Sequence, residues 1–164
     1  MAKNKEEKTN VMRVLEQKKI AYTAHTYPHE EGMAVDGVTV AKSMGFDPAI
    51  VFKTLVARGA SKQYYVFDVP VAENLDLKKA AKAVGEKSIE MIHQKELLPL
   101  TGYVHGGCSP VGMKKLFPTV FHSSAENLAA MIVSAGKIGY QVEVAPQALI
   151  ALVRAGTAEL TIES

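Results

Sequence analysis

Three short segments carry more polar and glycine character than packing alone demands. The first is Val51-Phe52-Lys53-Thr54-Leu55-Val56, where Lys53 interrupts an otherwise apolar strand pattern. A lysine there either snorkels outward from a half-buried face, or is held as a fixed cation. In the second role it could grip a phosphate or polarise an ester carbonyl, with the Thr54 hydroxyl beside it. The second segment, Thr101-Gly102-Tyr103-Val104-His105-Gly106-Gly107-Cys108-Ser109-Pro110-Val111-Gly112, holds four glycines and a proline. Such a run forms tight turns whose N–H groups can cradle a phosphate or an oxyanion. Its spacing is neither GxGxxG nor a P-loop, so an elaborate structural turn is an equal reading. The third, Val133-Ser134-Ala135-Gly136-Lys137-Ile138-Gly139, follows an apolar strand with a hydroxyl, a glycine turn and a cation. It suits a ribose or phosphate contact, or a plain loop with a solvated lysine.

A nucleophile is harder to find. Cys108 beside Ser109 invites the idea, with His93, His105 or His122 as base, yet no nucleophile-elbow or papain-like signature surrounds them. A lone cysteine usually serves as a small buried hydrophobe. No Cys/His set has zinc-like spacing, and His25 and His29 lack the i,i+4 separation of a helical metal pair. Neither metal nor cofactor is expected, and one cysteine makes no internal disulfide.

The elements that must position these segments alternate in type. Thr9 can cap a first helix running to about 19, a strand follows at 21–26, and 27–35 mixes Pro, Gly and charge as a loop does. Asp36 can cap a helix to 44 that Gly45 ends, and Pro48 suits a brief helical turn. Residues 51–57 and 63–70 read as a β-hairpin around Gly59-Ala60-Ser61. Asp76 then caps a helix to 84, with Leu77, Ala80, Ala81 and Val84 inward and Lys78, Lys79 and Lys82 outward. Strands at 88–92, 119–122, 131–134, 141–144 and 158–162, a helical turn at 94–98 and a helix opening at Pro146 complete the reading. The expected class is α/β or α+β, one compact domain over residues 1–164 with a mixed twisted sheet covered by helices.

Composition narrows the setting. The 164 residues are 48% apolar and 22% charged, ordinary for a globular chain, and no apolar run approaches membrane-spanning length. The charged start lacks a signal-peptide core, so a cytoplasmic location is expected. A net charge of +2 is too small to imply nucleic-acid binding by itself, and leaves that question to local lysine clusters.

Taken in order, Val-Phe-Lys-Thr-Leu at 51–55, Pro-Val-Ala-Glu-Asn-Leu-Asp-Leu-Lys-Lys-Ala-Ala-Lys at 70–82, Gly-Gly-Cys-Ser-Pro-Val-Gly at 106–112 and Ser-Ala-Gly-Lys at 134–137 resemble the YbaK/EbsC family. With His25-Thr26-Tyr27 upstream, the resemblance covers nearly the whole chain. Members are similar to the editing domain inserted in bacterial prolyl-tRNA synthetases. The resemblance implies a deacylase for mischarged Cys-tRNA(Pro), extending to Cys-tRNA(Cys), in transient complex with prolyl-tRNA synthetase; no membrane or DNA partner is expected. It implies that the substrate's own thiol attacks the ester and departs as a cyclic thiolactone. Lys53 then matches the family's signature active-site residue, and Gly107 with neighbouring N–H groups faces the oxyanion. Tyr27, Thr54, Gly106, Ser109, Ser134 and Gly136 match substrate-binding positions. Lys78, Lys79, Lys82, Lys114 and Lys115 are the candidate tRNA phosphate contacts, each also readable as part of a solvated face. Relatives often carry aspartate where Gln141 stands, and a neutral amide supplies hydrogen bonds but no charge. Some also place an aromatic residue near Met33-Ala34-Val35-Asp36, which has none. Two readings compete: a water-using Ala-tRNA(Pro) deacylase, and a noncatalytic module binding tRNA ends or nucleotides.

Overall fold

The computed structural model describes residues 8–29, 33 and 35–162; of the loop expected at 27–35, residues 30–32 and 34 lie outside the described residues. The elements are α1 (Asn10–Gln17), β1 (Tyr22–Thr26), α2 (Gly37–Ser43), β2 (Phe52–Gly59), β3 (Tyr64–Pro70), α3 (Leu77–Val84), β4 (Ile89–Met91), α4 (Gln94–Thr101), β5 (Thr119–His122), β6 (Met131–Lys137), β7 (Tyr140–Val144), α5 (Pro146–Val153) and β8 (Gly156–Ala158). Short 3-10 turns occupy Pro48–Ile50 and Ser123–Asn127.

Capping residues start the helices where the sequence places them. The Met12 N–H donates to Thr9 Oγ1 at 3.2 Å, and the Thr39 N–H to Asp36 Oδ2 at 3.1 Å. Asp76 Oδ1 accepts from the N–H groups of Lys78 and Lys79 at 2.9 and 3.2 Å, and Gly85 ends α3 in the left-handed region at φ 74°.

The strands form two sheets rather than the single sheet expected. A five-stranded mixed sheet has the order β4-β2-β3-β5-β8, antiparallel through β4, β2 and β3 and parallel from β3 to β8. A three-stranded antiparallel sheet has the order β1-β7-β6. The two meet at one parallel bridge, Val51 to Ile132. The side-chain alternation of β2 and β3 divides the interior. Phe52, Val56 and Val66 face the main core, shared with Val11 and Leu15 of α1, Val133 and Val142 of the smaller sheet, and Leu149 of α5. Ala57, Tyr65, Phe67 and Val69 face the other way, onto Ala80 and Ala81 of α3 and Leu160.

Several boundaries shift for local reasons. β6 runs on to Lys137 through an irregularity between Ser134 and Lys137, so the expected third glycine turn is partly strand. The last strand forms at Gly156–Ala158 rather than 158–162, and Thr161 instead bridges Leu75. The helix at Gln94 extends to Thr101 past Pro99. The turn at Ser123–Asn127 shows no apolar period that could announce it.

Candidate active site

Beyond the Val51–Ile132 bridge, β2 and β6 part into their separate sheets. The gap between them is a cavity of about 370 Å³, walled by Lys53 and Thr54 of β2 and by Ser134 and Gln141 of the smaller sheet. The start of α2 (Asp36, Gly37, Val40) closes one side, and the glycine-rich loop closes another through His105, Gly106 and Cys108. Tyr27 and Tyr140 complete the rim.

Lys53 is half-buried on this wall rather than turned to bulk solvent. Burial pushes its ammonium below the ordinary lysine range, opposed by attraction to the carboxylates of Asp36 and Glu73. On the next rung, the Thr54 hydroxyl donates to Asp68 Oδ1 at 2.6 Å, directly across the β2–β3 pair. Asp68 is wholly buried, and burial raises its carboxyl to about 7 against the opposing Thr54 hydrogen bond. Among the described residues its Oδ2 has no partner, nor has Oε1 of the buried Gln141. Asp68 was not singled out in the sequence. Its only signal is one carboxylate inside the apolar run Tyr64-Tyr65-Val66-Phe67-Asp68-Val69-Pro70.

The glycine-rich loop is braced from within. The Tyr103 N–H donates to Thr101 Oγ1 at 3.0 Å, the Tyr103 hydroxyl reaches the Val111 carbonyl, and the Val111 N–H donates to Ser109 Oγ at 3.3 Å. Asn10 Nδ2 of α1 ties down the Gly112 carbonyl at 3.3 Å. Gly107 is buried behind the cavity wall, and its N–H already donates to the Val104 carbonyl at 2.9 Å. A Cβ there would lie 3.0 Å from the Ile138 backbone nitrogen, so Gly107 is where the loop rests on the β6–β7 hairpin. The Gly106 and Cys108 N–H groups, on residues that line the cavity, meet no acceptor among the described residues. Ser109 is fully buried, and Gly136 donates its N–H to Ser134 Oγ at 3.1 Å. A Cβ at Gly136, φ 94°, would stand 2.9 Å from the Tyr103 ring, so these two residues brace the wall and do not line it.

Cys108 lines the cavity as a buried thiol, pushed up to about 12 by burial and by the Asp68 carboxylate, and opposed by a hydrogen bond with Thr101. Such a thiol is not a thiolate at neutral pH. The histidines stand elsewhere: His122 Nδ1 accepts the Leu160 N–H at 3.1 Å, His93 caps α4 with its backbone N–H donating to Glu96 Oε2, and His105 is exposed at the rim. Among the described residues no group of three or more His, Cys, Asp and Glu is assembled as a metal would need.

The five candidate lysines fall into two groups. Lys78, Lys79 and Lys82 ride on α3, over the second core cluster, and Lys79 Nζ donates to the Thr161 carbonyl at 2.7 Å. Lys78 and Lys82, with Lys87, border a shallow hollow beside α3. Lys114 and Lys115 follow the glycine-rich loop on the main-core side. Lys114 reaches the Pro99 carbonyl at 3.5 Å, and Lys115 lies 5.8 Å over the Phe117 ring.

The model of the aminoacyl-tRNA editing domain family matches residues 29–152, which takes in both sides of the cavity. The chain belongs to that family. An Enterococcus faecalis protein carrying the provisional name Cys-tRNA(Pro)/Cys-tRNA(Cys) deacylase EbsC is 46% identical over 162 residues, 98% of either chain. The fold of this editing domain recurs in a crystal structure provisionally described as a trans-editing enzyme for prolyl tRNA synthetase, with TM-score 0.79, 24% identity and coverage of 93% of this chain and 95% of that one. It recurs again in a hypothetical protein of known structure, at TM-score 0.81 and 17% identity over 93% and 99% of the two chains. None of the helices described in this editing domain is long and apolar enough to cross a membrane.

Proposed function

We propose that this editing domain is a trans-acting deacylase that clears cysteine from Cys-tRNA(Pro), and from Cys-tRNA(Cys). The observation that carries the reading is the cavity of Lys53, Thr54 and Ser134 between the parted sheets, in a chain 46% identical to EbsC along nearly its full length. A space of about 370 Å³ lies at the small end of ligand pockets, a size for an aminoacyl group and its ribose.

Lys53, cationic and partly withdrawn from water, holds the terminal adenosine through its phosphate, where low local dielectric strengthens the attraction. Tyr27 and Ser134 confine the amino acid. The Gly106 and Cys108 amides, free of internal acceptors, face the oxygen that gains charge as the ester is attacked. Gly107 supports that pair by seating the loop, and Ser109 and Gly136 keep its wall rigid. The attacking group is the substrate's own thiol, which leaves with the acyl carbon as a cyclic thiolactone. The protein's part is then orientation and charge stabilisation. This agrees with a cavity whose one thiol is held protonated.

Phosphates of the acceptor stem meet Lys78 and Lys82 of α3, or Lys114 and Lys115; Lys79 contributes less because its ammonium is tied to Thr161. Selectivity for tRNA(Pro) comes from transient association with prolyl-tRNA synthetase. The whole chain acts as one domain, and its working compartment is the cytoplasm, where tRNA is charged.

The reading is tested by offering the protein Cys-tRNA(Pro) and Ala-tRNA(Pro) in parallel while trapping the released acyl group. Rapid cysteine release through a thiolactone, with alanine left in place, is the expected result, because alanine has no thiol. Equal release of both amino acids would make it a water-using deacylase, and tight tRNA binding without release a noncatalytic module.

A further inference from the structure

The Thr54–Asp68 pair joins a hydroxyl on the cavity wall to a wholly buried carboxylate, and the mechanism above leaves it without a task. Thr54 lines the cavity, but its hydroxyl proton is committed to Asp68 Oδ1 at 2.6 Å. What it offers a ligand is therefore oxygen lone pairs, so the ligand group that meets it must be a donor. Asp68 does not line the cavity itself and is hydrogen-bonded to it through Thr54. It has no exposed surface, no cation pairs with it among the described residues, and its second oxygen is unpartnered. An unpaired carboxylate in an apolar strand is costly in its charged form. A neutral residue of similar size would pack there without that cost.

Resting on the reading of the substrate as a cysteinyl ester, we propose that Thr54 and Asp68 form a proton relay. Thr54 takes the proton of the substrate thiol as it passes its own to Asp68. The bond that forms joins the substrate sulfur to the ester carbonyl carbon, and the bond that breaks joins that carbon to the ribose oxygen. The departing oxygen takes a proton from water, and Asp68 returns its proton to cavity water through Thr54. The net transfer is one proton from sulfur to ribose oxygen. Among the other ionisable groups on the wall, the Cys108 thiol is held protonated, His105 is exposed at the rim, and Asp36 is exposed with its Oδ2 accepting both the N–H and the hydroxyl of Thr39.

The surroundings of Asp68 keep its proton affinity near that of a useful base. The glycine-rich loop brings the neutral Cys108 thiol towards it, β5 sets Phe121 beside it, and Ser134 and Gln141 on the facing sheet are uncharged. Burial raises the carboxyl to about 7, where a base is both available and strong enough to accept a proton.

The test is single-turnover cysteine release from Cys-tRNA(Pro) as a function of pH, by the intact protein and by Asp68→Asn, Thr54→Val and Thr54→Ser. For the intact protein the rate is expected to rise with pH through about 7 and then level, since the relay needs the carboxylate. Asp68→Asn keeps the shape and a hydrogen-bond acceptor. It should lose about 10²-fold in rate, together with that pH limb. Thr54→Val should fall similarly, whereas Thr54→Ser, which restores the hydroxyl, should recover most of the rate. If Asp68→Asn keeps the wild-type limb, whatever its rate, or if Thr54→Ser is as slow as Thr54→Val, the relay is overturned while the deacylase reading stands. An intact protein that releases no cysteine at any pH overturns both.

Discussion

Lys53 and Asp68 occupy neighbouring rungs of the β2–β3 ladder, and burial acts on both by the same rule: it disfavours the charged form. It therefore lowers the lysine and raises the aspartate. For Asp68 this has a consequence for stability. Burial lifts its carboxyl from the ordinary 3.8 to about 7, so between those values the folded chain holds a proton that the unfolded chain has lost. Stability then falls as pH rises through that window, by up to about 1.4 kcal/mol per pH unit from this group, and levels above it. Asp68→Asn should remove the slope and raise the midpoint of thermal unfolding above about 7, by a margin that shrinks towards acid pH. Melting curves of the two proteins across that range check it, and an unchanged slope would mean the carboxyl is not held protonated. At this scale the sequence was partly legible. Lys53 and Thr54 stand out as polar residues in an apolar strand and do line the cavity. Asp68 does not, because a buried acid and a surface acid look alike until the strand's facing partner is known.

At the scale of elements, the glycine-rich loop and the β6–β7 hairpin form one contact surface, and at Gly107 the loop backbone rests directly on the hairpin backbone. The atoms that a Cβ would meet there are the Ile138 nitrogen at 3.0 Å and the Lys137 backbone at 3.2 Å, and backbone cannot turn aside as a flexible side chain can. Gly107→Ala should destabilise by about 1–3 kcal/mol, visible as a lower urea midpoint at unchanged m. It should also displace the Gly106 and Cys108 amides and slow deacylation. Stability equal to wild type would show that the loop has room to move. Glycine spacing marked this loop in the sequence, but could not say which of its N–H groups would be spent inside it. The helices and most strands were legible because caps and apolar periods are local. The division of the strands into two sheets was not, since it rests on β1 pairing with β7 and β5 with β3, partners far apart in the chain.

For the whole molecule, the site follows from how the two sheets are joined. One parallel bridge holds β2 to β6, and the crevice opens where they diverge, with α2 and the glycine-rich loop as lids on the gap. The core residues of both sheets therefore set the width of the cavity that Lys53, Ser134, Gly106 and Cys108 line, and the lysines of α3 lie over the other face of the larger sheet. Membership of the aminoacyl-tRNA editing domain family gives this crevice a chemical context that sequence motifs had already suggested through resemblance. In the proposed reaction Lys53 organises ester cleavage there. The most direct test is the rate of cysteine release from Cys-tRNA(Pro) by the intact protein and by Lys53→Ala, with circular dichroism confirming an intact fold. A loss of about 10²–10³-fold is expected, the scale of removing one preorganised charge-stabilising group. Release by Lys53→Ala at close to the wild-type rate would contradict the account.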